Sequence, residues 1–207
     1  KPIIPVNHVI AHMYANFVSY QSSAISHQLS DNLKVESRKP IAFPAISLVV
    51  SGGHTELYLM KSIKNLTWLG GTLDDAAGEC FDKTARLLGF GYGGGVAIEQ
   101  AAVKGEIKLP RPMMDDSFNF SFSGLKTAVM REWKKRNDLS LAPAFAYEIQ
   151  ESITDVLVEK TVRAVKQHGA KSILLSGGVA ANKRLREKFP VPIHAPPVNL
   201  CTDNAVM

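Results

Sequence analysis

The chain has 207 residues, 45% hydrophobic and 21% charged, which suits one compact domain or a little more and leaves no room for a low-complexity tract. No apolar run approaches the roughly 20 residues that cross a bilayer, and two cysteines, Cys80 and Cys201, argue against a secreted disulfide framework and for a reducing, cytoplasmic compartment. A net charge of +5 permits an anionic partner without requiring one.

In chain order, the stretch NHVIAHMY after Pro5 predicts a helix capped by Asn7, on which Val9, Met13 and Phe17 recur at i, i+4 and i+8. A polar segment, SSAISHQLSDNLKVESRKP, follows as a surface connection. Residues 46–50 (ISLVV) read as a short buried strand, Gly52–Gly53 as a turn, 55–60 (TELYLM) as a returning strand and 66–69 as a third. Asp74 or Asp75 is expected to cap a helix reaching Leu88, with Ala77, Phe81, Ala85 and Leu88 on one side. The glycine-dense GFGYGGGV reads as a loop whose backbone can approach a ligand closely. FNFSFS (118–123) alternates as a half-buried strand, a helix follows from Gly124, and Phe145, Ile149, Ile153 and Val156 mark a long amphipathic helix to about His168. A buried strand at 172–175 ends in Ser176–Gly177–Gly178, a helix begins near Ala181, and 191–194 reads as a last strand before Pro196–Pro197. Three strands followed by βα alternation give a mixed α/β sheet with helices on its faces. In open sheets of this kind ligands bind beyond the carboxyl ends of the strands, where both SGG turns fall.

His8 and His12 stand four apart and so share a helix face from which two imidazoles can reach one cation. Two ordinary helix histidines, one bonded to a carbonyl and one solvated, give the same spacing. The pair resembles the HExxH of zinc peptidases without its base, because Val9 stands where the glutamate would and no acidic residue lies between the histidines. A third ligand has to come from elsewhere. Asp203 in CTDNA offers a hard carboxylate, or it caps a helix starting near Asn204; Cys201 can ligate or simply pack.

SGGHT (51–55) can cradle a phosphate on consecutive N–H groups or form a plain hairpin turn. SGGVAAN (176–182) repeats the arrangement at a strand-to-helix junction, where a helix start favours an anion. It has neither the GK[ST] of a Walker loop nor GxGxxG. Asp75, Glu79 and Asp82 fall at i, i+4 and i+7, a face that either stays solvated or accepts hydrogen bonds from ribose hydroxyls. REWKKR (131–136) is a basic run with Trp133 inside it, either a solvated helix face or a surface for a phosphate backbone.

Taken in order, HVIAH, VVSGGHTEL, GGTLDDAAGECFDKTARLLGF, the glycine-dense loop, FSFSGLKTA, LSGGVAAN and CTDNA closely resemble the catalytic-subunit family of tRNA N(6)-adenosine threonylcarbamoyltransferase, in its bacterial branch, formerly described as O-sialoglycoprotein endopeptidase. The resemblance runs from His8 to the last residue. It implies the two-lobed actin-like ATPase fold shared with sugar kinases and Hsp-type chaperones. It also implies transfer of a threonylcarbamoyl group from threonylcarbamoyl-AMP to the exocyclic amine of the adenosine next to the anticodon, in tRNAs that read codons beginning with A. By resemblance, His8, His12 and Asp203 correspond to the ligands of one divalent metal ion, iron or zinc. Val49, Val50, Ser51, Gly52 and Gly53 match the substrate loop, and Asp82, Gly95 and Asn182 match further nucleotide contacts. The implied partners are tRNA, threonylcarbamoyl-AMP, a paralogous dimer partner and a small ATPase, with no membrane. The chemistry demands no Ser–His–Asp or Cys–His pair, and the general base is unassigned.

The sequence departs from the family pattern at Gly93–Gly94–Gly95–Val96, which lacks both prolines of PGGP and so predicts a looser loop. Neither the family's first strands, with their phosphate motif, nor its C-terminal helix is matched, and the chain opens on Lys1–Pro2 rather than methionine. It is expected to be a piece of a longer protein, with residues 1–44 ending one lobe and 45–207 forming most of the other. The isolated piece can be inactive. A metal-dependent glycoprotein endopeptidase and a non-catalytic actin-like scaffold are the rival readings, and the histidine pair argues against the scaffold.

Overall fold

The computed structural model describes residues 5–17, 40–91 and 93–203. The polar connection predicted after the first helix therefore lies mostly outside the described residues.

Four strands form one sheet in the order β3-β2-β1-β4: β1 (Ala45–Val50), β2 (Thr55–Ser62), β3 (Asn65–Gly71) and β4 (Ser172–Ser176). The pairs β1–β2 and β2–β3 are antiparallel, whereas β1 and β4 run parallel with Val49 opposite Ser176. Every residue of β1 is buried, because both faces of the sheet are covered. Ile46, Leu48 and Val50 join Leu57, Ile173 and Leu175 in the main core. Ala45 and Val49 point the other way, towards α1 (His8–Tyr14), where Val9 and Met13 pack on Val49. The main core is completed by α2 (Ala77–Leu87), α3 (Gly94–Ala101), α4 (Ser123–Arg136) and the long α5 (Ala142–His168). Two short helices close the described chain, α6 (Lys183–Lys188) and α7 (Val198–Cys201).

Asn7 caps α1 as expected, its side chain accepting from the Ile10 N–H, and a 3-10 turn (Ala15–Phe17) extends the helix. The start of α2 corrects the sequence reading. Neither Asp74 nor Asp75 caps it; Ala76 holds that position without a side-chain bond. The free N–H groups are satisfied from across the fold instead: Ala77 donates to Thr55 Oγ1 at 2.8 Å and Gly78 to the Ser51 carbonyl at 3.1 Å. The opening of α2 is thereby tied to the turn after β1.

Asp74 caps α4. Phe122 N–H donates to it at 2.8 Å, joined by Ser123 N–H and the hydroxyls of Ser121 and Ser123. This capture explains why FNFSFS is not the strand its alternation predicts: Phe120 and Phe122 are buried as expected, but the segment makes a single bridge, Thr72 to Phe120, before turning into α4. Burial pushes the Asp74 carboxyl up, and the hydrogen bonds from Ser121, Phe122 and Ser123 outweigh it, holding the group below its ordinary value. A depressed carboxyl stabilises fully above its unfolded pKa of about 3.9 and loses that contribution as pH falls through the lowered folded value. Asp74→Ala should therefore cost about 1 kcal/mol near neutrality and less below about pH 4. Melting curves that differ equally from wild type at pH 3 and pH 7 would rule this out.

Residues 191–194 also fall short of a strand. His194 bridges Leu174 in parallel, donating to Ile173 and accepting from Leu175. Pro192, Pro196 and Pro197 have no N–H with which to extend the ladder. The glycine-dense stretch departs in the other direction: Gly94 opens α3, so its second half is helix rather than loose loop.

Candidate metal centre and nucleotide cleft

Two turns meet at the carboxyl ends of the parallel neighbours β1 and β4. Gly177 sits there at φ 90°, and a Cβ at this position would stand 2.3 Å from the Val50 carbonyl oxygen. Between these turns, α2 and α3 lies a cavity of about 330 Å³ bordered by Gly52, Asp82, Gly95, Glu99, Gly178 and Asn182. That volume is at the lower end of ordinary ligand pockets, about 300–1,000 Å³. The approach of α3 to α2 is close as well, since a Cβ on Gly94 would fall 2.5 Å from Asp82 Cα. Asp82 and Gly93 also border a second hollow of about 560 Å³ beside Arg86 and Phe90.

The residues matched to the substrate loop separate by side chain. Val49 and Val50 are fully buried in the β1 ladders and border neither hollow. Ser51 Oγ accepts from the N–H groups of Gly53 and His54, which closes the turn and leaves its own proton to donate. Gly52 borders the cavity; Gly53 is exposed and does not. Of the three carboxylates expected on one face, Asp75 precedes α2 and pairs with Lys83 at 2.7 Å, and Glu79 pairs with the same lysine at 2.8 Å. Asp82 has no ion pair among the described residues and is the one that borders the cavity. Asn182 borders it too, but its amide is engaged: Oδ1 accepts from Leu185 N–H to cap α6, and Nδ2 donates to Gln150 at 2.9 Å.

Beside the cleft, α1 brings His8 and His12 against Asp203, two residues beyond α7. His12 Nε2 lies 3.1 Å from Asp203 Oδ1 and His8 Nε2 lies 3.4 Å from it. Donor atoms held around one ion at about 2.1 Å stand roughly 3.0–3.4 Å apart, for octahedral and tetrahedral angles respectively. The three residues are a group whose ligand atoms lie within 4.8 Å of one another. His12 is only 1% exposed, yet among the described residues Nδ1 has no partner and Nε2 lacks the alignment of a hydrogen bond. Buried nitrogens left unpaired are costly, and a metal ion at Nε2 removes half of that cost. Burial, then the neighbouring His8, pushes the His12 pKa below its ordinary value against the pull of Asp203, favouring the neutral imidazole that ligates metals. The donor set fits one divalent cation.

Val9 is buried against Met13 and Val49, so α1 presents no acidic side chain at the place of the peptidase base. Cys201 packs beneath Arg186 and the Pro196 carbonyl, outside the donor set. Burial first, then Asp75, pushes the Cys80 thiol up to about 12, which makes it inert. Trp133 packs edge-on against Phe145 at 5.1 Å, leaving Arg131, Lys134, Lys135 and Arg136 exposed on α4. The helix expected of Asp203 as a cap would begin outside the described residues.

Residues 1–207 match a family model described as tRNA N6-adenosine threonylcarbamoyltransferase. The chain belongs to that family. Relatives so named include proteins of Persephonella marina, 46% identical over 220 residues, and Sulfurihydrogenibium sp., 44% identical over 220, each covering 100% of this chain and 58% of the relative. A relative from Thermomicrobium roseum is 44% identical over 236 residues, covering 100% of this chain and 61% of its own length. The chain thus spans about three fifths of the curated relatives it matches. The mixed sheet with helices on both faces is consistent with the actin-like fold of the threonylcarbamoyltransferase family. None of the described helices is long and apolar enough to cross a membrane.

Glu99, Thr202 and His54 carry no motif role in the sequence. Glu99 and Thr202 border the cavity because α3 and the end of α7 lie there. His54 stands inside SGGHT, a stretch whose sequence points to a phosphate cradle or a hairpin turn and gives its imidazole no part.

Proposed function

We propose that the full protein carrying this chain transfers a threonylcarbamoyl group from threonylcarbamoyl-AMP to the exocyclic amine of the adenosine next to the anticodon in tRNAs reading codons that begin with A. The observation that carries this reading is the convergence of two imidazoles and a carboxylate beside a nucleotide-sized cavity between two SGG turns. The names of the relatives support the same activity. The donor set suits iron or zinc, and His8, His12 and Asp203 would hold the ion. When bound, it would supply positive charge to oxygens of the acyl donor.

The acyl donor is already activated as a mixed anhydride with phosphate, so the protein's task is placement and charge stabilisation. Gly52 N–H, which no acceptor engages among the described residues, and the Ser51 hydroxyl receive the phosphate, and Asp82 accepts from the ribose hydroxyls. Asn182, held by Gln150, shapes the wall where the nucleotide rests. The amine nitrogen bonds the carbonyl carbon, the bond from that carbon to the phosphate oxygen breaks, and its electron pair leaves with AMP. The amine proton passes to water or to the departing phosphate. On this reading residues 1–44 end one lobe and 45–207 form most of the other, and the cytoplasmic complex includes a paralogous dimer partner and a small ATPase.

The test is mass spectrometry of anticodon-loop nucleosides from cells depleted of the full protein, then resupplied with it. Threonylcarbamoyladenosine should vanish and return. Its persistence after depletion would refute the assignment.

A further inference from the structure

The protein holds a third imidazole at the metal centre. His54 closes the turn after β1: its carbonyl accepts from Ser51 N–H at 2.8 Å and its N–H donates to Ser51 Oγ at 3.1 Å. The next residue, Thr55, is buried and holds the first N–H of α2. The backbone beneath the His54 ring is therefore fixed between β1, β2 and α2. The ring itself lies 5.9 Å from that of His8, tilted by 45°, and makes no hydrogen bond among the described residues.

Distance decides what this ring can do. Two imidazoles bound to one ion at about 2.1 Å put their centres roughly 4.5 Å apart at right angles and roughly 5 Å apart at tetrahedral angles. His8 and His12, at 4.7 Å, meet that condition. His54 stands further out at 5.9 Å and is not part of the three-residue donor set. It is well placed for the next shell: a substrate oxygen on the ion lies about 2 Å out, and a hydrogen bond to that oxygen spans roughly another 2.8 Å. His54 also belongs to the turn whose Gly52 borders the cavity. It thus joins the two halves of the site, its ring beside His8 and its backbone in the turn that borders the phosphate pocket.

We propose that the His54 imidazole donates a hydrogen bond to an oxygen of the acyl group, orienting its carbonyl between the His8–His12–Asp203 set and the Ser51–Gly53 turn. The inference rests on the transfer reading given above. Neutral imidazole already carries one N–H, so the role needs no change of protonation.

His54→Ala and His54→Asn in the full protein test this; asparagine keeps an N–H donor near the same place. Bound metal and AMP affinity should stay within about twofold of wild type in both variants. For His54→Ala, affinity for a hydrolysis-resistant analogue of threonylcarbamoyl-AMP should fall about tenfold, the usual worth of one hydrogen bond. Its kcat should fall further, about a hundredfold, with KM for tRNA unchanged, because oxygen-directed donors act most strongly on the transition state. His54→Asn should recover most of both losses. Metal lost from His54→Ala would make His54 a ligand and overturn the inference, as would unchanged analogue affinity and kcat, or equal defects in the two variants. Wild-type protein that binds the analogue no better than AMP and transfers nothing would instead overturn the transfer reading, and the inference with it.

Discussion

Asp203→Ala in the full protein should lower metal affinity by at least a factor of about 100 and abolish tRNA modification with it. Loss of an outer-shell partner alone costs about 10–100-fold in metal affinity, and Asp203 is one of the three proposed donors that the described residues bring together. The same carboxylate offers Oδ1 to both imidazoles, at 3.1 and 3.4 Å, so its removal takes away the anionic member of the donor set. Its side chain is 76% exposed, and the change should therefore leave the apo protein's melting temperature nearly untouched. His12→Ala should remove the metal equally, but it also opens a hole under α1, where His12 is 1% exposed, and is the less informative variant. Elemental analysis of the purified protein and nucleoside mass spectrometry read the two effects separately. Full modification by an Asp203→Ala protein that has lost its metal would break the proposed mechanism.

The parts of this site that could be read in the sequence were those set by short-range spacing. His8 and His12 share a face because a helix repeats every 3.6 residues, and Asn7 starts that helix where its side chain can accept. The fully buried β1 was visible as an apolar run interrupted only by Ser47, and α5 as a sustained apolar periodicity ending before Gly169. Tertiary partners decided the rest. The start of α2 is capped by Thr55 and Ser51, residues more than twenty positions earlier, while the aspartate expected to cap it serves α4 instead. No local rule anticipates that exchange. Likewise FNFSFS has the alternation of a strand and the burial of one, but Asp74 ends it after a single bridge. Asp203 is the clearest case: nothing in CTDNA distinguishes a ligand from a cap, and its approach to α1 depends on where α7 is delivered after the Pro196–Pro197 turn. Family resemblance had to supply that correspondence, and the distances to His8 and His12 then support it.

Gly177→Ala should be the most damaging single methyl group in the cleft. Its backbone, at φ 90° and ψ 165°, lies in a region held almost only by glycine, which costs about 1–3 kcal/mol for another residue. The added Cβ would also stand 2.3 Å from the Val50 carbonyl oxygen and 2.7 Å from its carbon, and β1 cannot yield without breaking its ladders on both sides. Overpacking of this kind costs about another 1–3 kcal/mol, so a total of about 2–6 kcal/mol is expected. What relaxation occurs must push the β4 turn away from the β1 turn, the two walls between which the nucleotide is proposed to lie, and AMP affinity should fall together with stability. Gly124→Ala is the matched control: it sits in the first turn of α4 with nothing within 4 Å of its Cβ, and should be neutral or stabilise by up to about 1 kcal/mol. Thermal melting and calorimetric titration with AMP distinguish the pair. A Gly177→Ala protein that melts within a degree of wild type and binds AMP as well would mean that the two turns do not meet as described, and the cleft would have to be rebuilt from other walls.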